Sequence, residues 1–142
     1  MPSYRRAAIA VALALLAAAP ARAADLDLSI ANLRDDKGWV MIAVFNSAQT
    51  FLKNDQRVAA VVLPANGGKV RVVLDLPPGR YAVSAFHDAN ANGKMDTNLV
   101  GMPTEGYGFS RDVRGTMGPP AFDSAAFDLP AGGSRQSVNL GY

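Results

Sequence analysis

The polar segment 87–96 contains the side chains best suited to chemistry. It reads His-Asp-Ala-Asn-Ala-Asn-Gly-Lys-Met-Asp. Counting Asp88 as position one, oxygen-bearing side chains occupy positions one, three, five and nine, and a glycine occupies position six. In an EF-hand loop, side chains at this spacing converge on Ca²⁺, and position seven contributes only its carbonyl. The sequence therefore predicts a calcium site with these ligands: Asp88, Asn90, Asn92, Asp96 and the carbonyl of Lys94.

The second half of an EF-hand is missing from this segment. Position twelve is Leu99, where an EF-hand has a bidentate glutamate. We expect a carboxylate from further along the chain, Glu105 or Asp112, to complete the ligand shell. Because the site has few formal charges, we expect a dissociation constant of roughly 10⁻⁴ to 10⁻³ M. The competing interpretation is that Asn92-Gly93 forms a hairpin turn that binds no metal.

A catalytic role for the same region depends on His87, the only histidine. Together with Asp88 and Glu105, it gives the hypothesis of a small hydrolase. No nucleophile motif surrounds the nearby serines. A tetrahedral zinc site lacks ligands, because the chain has no cysteine and no second histidine. The favoured interpretation is a protein that is not an enzyme.

Two aromatic residues separated by a glycine, Tyr107 and Phe109, follow in the long Gly- and Asn-rich connection 88–123. If exposed, the rings would form a platform for a sugar or a peptide. Alternatively, the rings pack this connection onto the rest of the domain while the glycines turn corners. We expect the packing role.

Alternating apolar residues predict the framework that must hold the polar segment. About seven short strands are expected, at 26–30, 39–45, 58–63, 69–74, 80–87, 125–129 and 136–140. Gly- and Pro-rich turns separate them, and the only helix candidate is 47–57. Short strands with this punctuation are typical of sandwiches. The sequence predicts an all-β fold, a single seven-stranded antiparallel β-sandwich of the immunoglobulin type with one long Gly/Asn-rich loop.

The first 23 residues have the pattern of a secretory signal peptide. A basic start precedes the apolar run 7–19 and then Ala21-Arg22-Ala23, the small-residue pattern of a cleavage site. A run of about 13 residues is shorter than the roughly 20 that a membrane-spanning helix needs. We therefore predict a signal peptide, 1–23, and a β-sandwich domain, 24–142. The mature protein is expected to be periplasmic or secreted, with no membrane insertion after cleavage.

Charge argues against nucleic acid and acidic membranes as electrostatic partners. The chain has 14 Lys and Arg against 12 Asp and Glu, but Arg5, Arg6 and Arg22 precede the cleavage point. The 119-residue mature chain therefore keeps 11 basic and 12 acidic side chains, without the basic cluster that such binding needs. Since no disulfide can form, stability must come from a packed core, helped by a bound ion.

Three motifs resemble a known family. They are Leu-Pro-Pro-Gly-Arg-Tyr-Ala-Val at 76–83, Phe-His-Asp-x-Asn-x-Asn-Gly-Lys-x-Asp at 86–96 and Gly-x-Pro-x-Glu-Gly-Tyr-Gly-Phe-Ser at 101–110. Over essentially its whole mature length, the chain resembles the uncharacterised bacterial domain-of-unknown-function family numbered 2141. The resemblance implies a small exported protein and supplies no reaction. The Leu-Pro-Pro-Gly-x-Tyr turn is also similar to that of transthyretin-like sandwiches, which implies a seven-stranded prealbumin-type topology.

These observations lead to one expected function and two alternatives. We expect an exported, non-enzymatic module, a structural or binding protein of the envelope, whose partner is an envelope protein or a glycan. Calcium would act structurally in its long loop. One alternative is a small periplasmic hydrolase that uses His87, Asp88 and Glu105. The other is a carbohydrate- or peptide-binding module that uses Tyr107 and Phe109.

Overall fold

A computed structural model describes residues 22–142. Residues 1–21, and with them most of the predicted signal peptide, lie outside the described part. The strands are β1 (Ala24–Leu33), β2 (Trp39–Phe45), β3 (Ala59–Pro64), β4 (Gly68–Leu76), β5 (Gly79–Asp88), β6 (Tyr107–Phe109), β7 (Phe127–Leu129) and β8 (Ser134–Asn139). There is one helical turn, α1 (Phe122–Ala125), and two 3-10 turns, Asn54–Gln56 and Ser110–Asp112. None of the helical segments in residues 22–142 is long and apolar enough to cross a membrane.

The strands form two sheets. One has three strands in the order β4-β1-β8, and the other has the order β3-β2-β5-β6. The short strand β7 pairs with the first residues of β5, and β6 pairs with β5 further along. The central strand of the larger sheet is therefore β5, which ends at the polar segment. All pairs are antiparallel except β1 with β8, which run parallel.

Alternate side chains from both sheets form one buried core, as a half-buried strand pattern requires. Each of these residues is at most 3% exposed; they are Leu26, Leu28 and Ile30 of β1, Val40, Ile42 and Val44 of β2, Val83 and Ala85 of β5, and Val138 of β8. Burying one such Leu, Ile or Val side chain contributes about 1.5–3 kcal/mol. The all-β prediction is confirmed, and the two sheets are arranged like a sandwich around this core.

A second, smaller cluster holds the returning part of the long connection against β5. The ring of Phe51 makes edge contacts with three other phenylalanines, Phe45, Phe109 and Phe122, at centroid distances of 5.6, 6.2 and 5.8 Å. Aromatic pairs in this geometry contribute about 0.5–1.5 kcal/mol beyond the area they bury. From residue 107 onward, apolar contacts thus hold the connection against the rest of the domain.

The prediction of seven antiparallel strands is wrong in two details. The additional strand is β6, whose three residues are too few to show a period of two. A Cβ atom on Gly108 at its centre would lie 2.7 Å from the carbonyl oxygen of Asn139, so a glycine lets β8 approach. The second detail is the parallel pairing of β1 with β8, which side-chain alternation cannot reveal because it is the same in either direction.

The only helix candidate, 47–57, contains turns instead of a helix. The amides of Thr50 and Phe51 donate to the Ser47 carbonyl oxygen at 3.3 and 3.1 Å. A separate 3-10 turn follows at Asn54–Gln56. An isolated segment this short gains too few hydrogen bonds to hold a regular helix.

Candidate metal centre

The last two residues of β5, His87 and Asp88, begin the polar segment. Both are paired with β2, opposite Val40 and Trp39, and they are only 2% and 0% exposed. Successive side chains of a strand point to opposite sides. Behind them lies Gly38, with a φ of +68°, where an added Cβ would overlap the carbonyl oxygen of Asp88. Only a glycine therefore fits beside this strand end.

The Asp88 carboxylate organises the turn that follows, which we call the Asx loop (residues 88–96). Its Oδ1 accepts the Asn92 N–H at 3.1 Å, and its Oδ2 accepts the Gly93 N–H at 2.8 Å. Ala91 and Gly93 have positive φ values of 58° and 80°, so the backbone curls back over Asp88. A positive φ is unfavourable for alanine, and the two bonds to the carboxylate offset that cost.

The remaining Asx side chains of the loop meet one another. The Nδ2 atoms of Asn90 and Asn92 donate to Asp96, at 2.5 Å to Oδ2 and 2.7 Å to Oδ1. Their Oδ1 atoms accept backbone N–H groups of Asn92 and Lys94 at 3.3 and 3.1 Å. Rotation of each amide would bring an oxygen to Asp96 in place of a nitrogen. That rotation gives up N–H···O bonds, which a bound cation must offset.

The carboxylate of Glu105 joins the loop from the following segment. Its Oε2 accepts the Asp96 N–H at 3.2 Å, and the residue is 9% exposed. Burial raises the pKa of Glu105, and the negative charges of Asp96 and Asp88 raise it further, against the lowering effect of backbone N–H donors. A cation at this point would favour the ionised carboxylate instead.

The other carboxylate considered for this role, Asp112, is engaged elsewhere. Its Oδ1 accepts the Asn139 N–H at 2.8 Å, and its Oδ2 accepts the Asn139 Nδ2 at 2.7 Å. These bonds fasten the long connection to β8. The structure therefore brings Glu105, and not Asp112, to the Asx loop.

The carboxylates of the loop have no basic partner among the residues that the structure describes. The ion pairs between arginines and carboxylates in residues 22–142 involve Asp27 and Asp123, and the Lys94 side chain is exposed. Nor do three His, Cys, Asp or Glu side chains in residues 22–142 form a ready-made metal cluster. A cation would need the asparagine amides and the Lys94 carbonyl in addition to carboxylates, as calcium does in weaker sites.

The imidazole of His87 is hydrogen-bonded at both nitrogens. The Lys37 carbonyl oxygen, 2.7 Å from Nε2, can only accept, so Nε2 carries a proton, and Nδ1 shares a hydrogen bond of 3.1 Å with the Tyr142 hydroxyl. The same hydroxyl accepts the Arg34 N–H at 3.1 Å, and the Arg34 guanidinium lies 3.8 Å from the ring centroid of Tyr142. His87 thus ties the β1–β2 connection to the carboxyl-terminal residue.

The three residues of the hydrolase hypothesis do not share one cleft. His87 and Glu105 border a shallow depression of about 160 Å³, together with Arg34 and Tyr142. Asp88 is not part of its lining and bonds to the Asx loop instead. Both imidazole nitrogens of His87 are engaged by protein groups, so neither is free to accept a proton from a substrate.

The aromatic residues of β6 pack in the way that the sequence favours. Phe109 is 7% exposed and belongs to the second cluster, so it is not part of an exposed platform. Tyr107 is half-buried and lies edge-on to Phe109 at 6.0 Å. Its ring also borders a second shallow depression, of about 480 Å³, with Arg114 and Met102.

Three residues that fix this region were missed by the sequence analysis. Gly38 lies in the connection between two predicted strands. This position is the only signal in the sequence that could have identified it. Nothing in the sequence identifies the Tyr142 contact with His87. Ser110 is fully buried; its hydroxyl donates to the Ala125 carbonyl at 2.6 Å and accepts the Val83 N–H at 2.9 Å. Such contacts join residues far apart in sequence, so no local pattern announces them.

Comparison with known proteins identifies the chain at the level of a family. The model of a family described as "Uncharacterized protein conserved in bacteria (DUF2141)" matches residues 28–138. This match includes β2 to β7, the Asx loop and Glu105. No curated protein and no solved structure matches the chain.

Proposed function

The chain belongs to the DUF2141 family, and from this premise we propose that it is an exported, non-enzymatic β-sandwich module whose Asx loop binds calcium weakly. The ion acts structurally, by ordering the loop at the end of β5. The module serves as a binding or structural protein of the envelope, in the periplasm or outside the cell. Its partner is an envelope protein or a glycan.

One observation carries the calcium proposal. The amide groups of Asn90 and Asn92 lie 2.5 and 2.7 Å from the two carboxylate oxygens of Asp96, and Glu105 reaches the backbone of Asp96. Asp88 supports the turn from below with both oxygens. All of these groups offer hard oxygen ligands, which Ca²⁺ prefers in sets of six to eight at flexible geometry. Magnesium needs a tighter octahedron and gives up its water reluctantly, so calcium is the better match.

Thermal melts of the chain from Arg22 onward test this proposal. With a dissociation constant of about 0.1 mM, a hundredfold excess of Ca²⁺ contributes about 2.7 kcal/mol if the unfolded chain binds none. The melting temperature should rise by several degrees, and by much less in Mg²⁺ at the same concentration and ionic strength. No calcium-dependent rise at about 10 mM would leave the loop a metal-free Asx turn.

Two variants and a matched control assign the effect to the loop. Asp88→Ala should abolish the calcium response, although it also removes two partly buried hydrogen bonds. Asp96→Asn removes one formal charge at nearly constant shape, so it should abolish most of the response without unfolding the domain. Asp123→Asn makes the same change at a carboxylate that is 77% exposed and outside the loop. This control should respond to calcium as the wild type does.

The hydrolase alternative has one observation in its favour, the shared depression beside His87 and Glu105. A broad screen of hydrolase substrates tests it. We expect no turnover by the wild type, because both nitrogens of His87 are occupied. Turnover that His87→Ala removes, and that Asp123→Asn keeps, would replace the non-enzymatic proposal with an enzymatic one.

The second alternative, a carbohydrate- or peptide-binding module, now depends on Tyr107. Its ring borders the larger depression, while Phe109 is packed inside. A glycan array compared between the wild type and Tyr107→Ala is the appropriate measurement. Binding that disappears in the variant would support a glycan as the envelope partner.

Export and topology belong to the same proposal. The strand β1 begins at Ala24, the residue at which cleavage after Ala23 would start the mature chain. Mass spectrometry of the exported protein should give this amino terminus, and a retained Met1 would contradict export by this route. We also propose that the arrangement of the sheets is a variant of the prealbumin type, with the turn at 76–81 leading into β5.

A further inference from the structure

An exposed apolar hairpin projects from the chain directly after the Asx loop. Its three apolar side chains, which we call the apolar tip, are Leu99, Val100 and Met102, with exposures of 107%, 81% and 59%. Such values mean that the first two side chains contact almost nothing of the domain itself. The tip is therefore convex and carries no charge, which distinguishes it from an ordinary surface valine on a sheet.

The hairpin is a defined structure. Thr97 and Pro103 form an antiparallel bridge at its base. Its loop has glycine at the left-handed position, with φ +80° at Gly101, as expected for a three-residue hairpin loop. The Asp96 carbonyl accepts the Thr104 N–H at 2.9 Å, which closes the hairpin where it joins the Asx loop.

Four backbone donors of the hairpin loop are paired within the hairpin. The side-chain Oδ1 of Asn98 accepts the N–H groups of Val100 and Met102, both at 3.0 Å. The Gly101 N–H donates to the Asn98 carbonyl at 3.0 Å, and the Asn98 N–H donates to the Met102 carbonyl at 2.8 Å. Internally paired N–H groups are what a segment needs if it is to leave water for an apolar phase.

Amphipathic residues lie beside Met102, at one side of the hairpin. Tyr107, Arg114 and Tyr142 border the same depression as Met102, and Tyr142 is 44% exposed. The exposed Lys94 lies in the adjoining Asx loop. Tyrosine rings and long basic side chains are typical of the level of lipid headgroups, because each has an apolar body and a polar end.

We propose that the apolar tip docks the protein on the surface of a phospholipid bilayer. Leu99, Val100 and Met102 enter the boundary between headgroups and acyl chains, and the Tyr and Arg residues that border the depression beside Met102 stay at the headgroup level. The contact is peripheral. Three side chains provide less apolar area than a myristoyl chain, whose binding constant is about 10⁴ M⁻¹, so the attachment is weak and reversible.

A bilayer matches these observations better than a protein groove does. A convex tip without hydrogen-bonding side chains at its summit offers no polar groups for specific recognition, whereas interfaces between proteins carry about one hydrogen bond per 100–200 Å². Apolar insertion also does not need the basic cluster that the mature chain lacks. None of the tip side chains is a metal ligand, so the inference does not depend on calcium.

Vesicle co-sedimentation tests the proposal. The chain from Arg22 onward, which contains all eight strands and the described core, is mixed with phosphatidylcholine vesicles at about 1–5 mM lipid, the range that suits a binding constant below 10⁴ M⁻¹. A parallel series uses phosphatidylethanolamine with phosphatidylglycerol. We expect binding to both, little change with salt, and persistence in the presence of a calcium chelator. Loss of binding in the chelator would assign the contact to an ion bridge and overturn tip insertion.

The variants assign binding to the tip. Leu99→Ser combined with Val100→Ser should weaken vesicle binding about a hundredfold, since each buried side chain of this size accounts for about one factor of ten. Val62→Ser combined with Val73→Ser is the control, because these valines of β3 and β4 are also exposed, at 51% and 52%. This variant should leave binding unchanged.

Three further results with vesicles would overturn the proposal. They are absence of wild-type binding to either lipid, equal binding by both double variants, and binding to the anionic vesicles alone that salt abolishes. Sedimentation equilibrium provides the remaining arm. Self-association that the tip variant removes would assign the tip to a second copy of the chain and not to a bilayer.

Discussion

Two carboxylate sites of the domain, one at Asp27 on the outer face of β1 and one in the Asx loop, differ in the groups that surround the carboxylates. Asp27 receives two bonds of 2.6 Å from Arg71 and one of 3.2 Å from Arg135. The hydrogen bond from Arg71 is the main reason that the pKa of Asp27 is lowered. In the loop, Asp96 receives only neutral amide donors, and burial raises the pKa of Glu105.

The chain itself neutralises the carboxylate of Asp27, but it does not neutralise the carboxylates of the Asx loop. Arginine supplies the counter-charge at Asp27 from neighbouring strands, so that site is complete without a ligand. The Asx loop gathers carboxylates beside one another while the basic side chain of Lys94 stays exposed. Like charges held together in this way are unfavourable until a cation joins them. The comparison therefore supports the proposal that the loop holds a cation, whereas Asp27 stabilises the fold.

The largest expected effect on the unfolding free energy comes from a substitution of Gly38, which packs against the end of β5. Gly38→Ala places a Cβ against the Asp88 carbonyl at a φ of +68°, so the unfolding free energy should fall by about 3 kcal/mol. The calcium response should weaken with it, while the Asp27 site keeps its low pKa. Urea denaturation measures the loss. Gly132→Ala, where an added Cβ meets nothing within 4 Å, is the control. Equal stability of the two variants would contradict the claim that only a glycine fits beside the end of β5.

A second variant asks which distant carboxylate belongs to the loop. Asp112→Ala removes two hydrogen bonds to Asn139, which should lower the unfolding free energy by about 2 kcal/mol. The calcium-dependent rise in melting temperature should remain, because Asp112 does not reach the Asx loop. If this variant lost the calcium response and Glu105→Gln kept it, the assignment of Glu105 to the site would be wrong.

A smaller loss of stability is expected from Tyr142, which bonds to His87 near the end of β5. Tyr142→Phe removes the hydroxyl that bonds to His87 and to the Arg34 amide, at a cost of about 1 kcal/mol. Stability should fall equally with and without calcium, since this contact is completed by protein groups alone. Denaturant titrations in calcium and in a chelator measure both differences. A loss seen only in calcium would show that the two sides are coupled.

The smallest effect sharpens the comparison through pH. A lowered pKa means that Asp27 stabilises the fold above its unfolded pKa near 4 and loses that contribution as pH falls through the folded value. Asp27→Asn should therefore be slightly less stable than wild type at pH 7, and the difference should vanish in acid. Melting temperatures across this range measure it. A difference that grew on acidification would contradict the role of Arg71.

The sequence predicted most of the framework and the composition of the loop, but not its closure. β2 was predicted at its observed bounds, Trp39–Phe45, because a buried run between turns leaves little choice. β6 was missed because its order comes from pairing with β5 and from the second cluster, contacts that are distant in sequence. The Asx spacing identified the loop, and only the three-dimensional arrangement distinguishes Glu105 from Asp112.

An NMR titration of the ¹⁵N-labelled chain with Ca²⁺ tests the central claim most directly. The account predicts saturable amide shifts at Asn92, Gly93 and Asp96 with one dissociation constant of roughly 10⁻⁴ to 10⁻³ M. Amides beside Asp27 should not move, because Arg71 and Arg135 already occupy that carboxylate. Shifts at Asp27 that equal those in the loop, or no saturable shift in the loop at 10 mM Ca²⁺, about ten times the weakest expected constant, would contradict it.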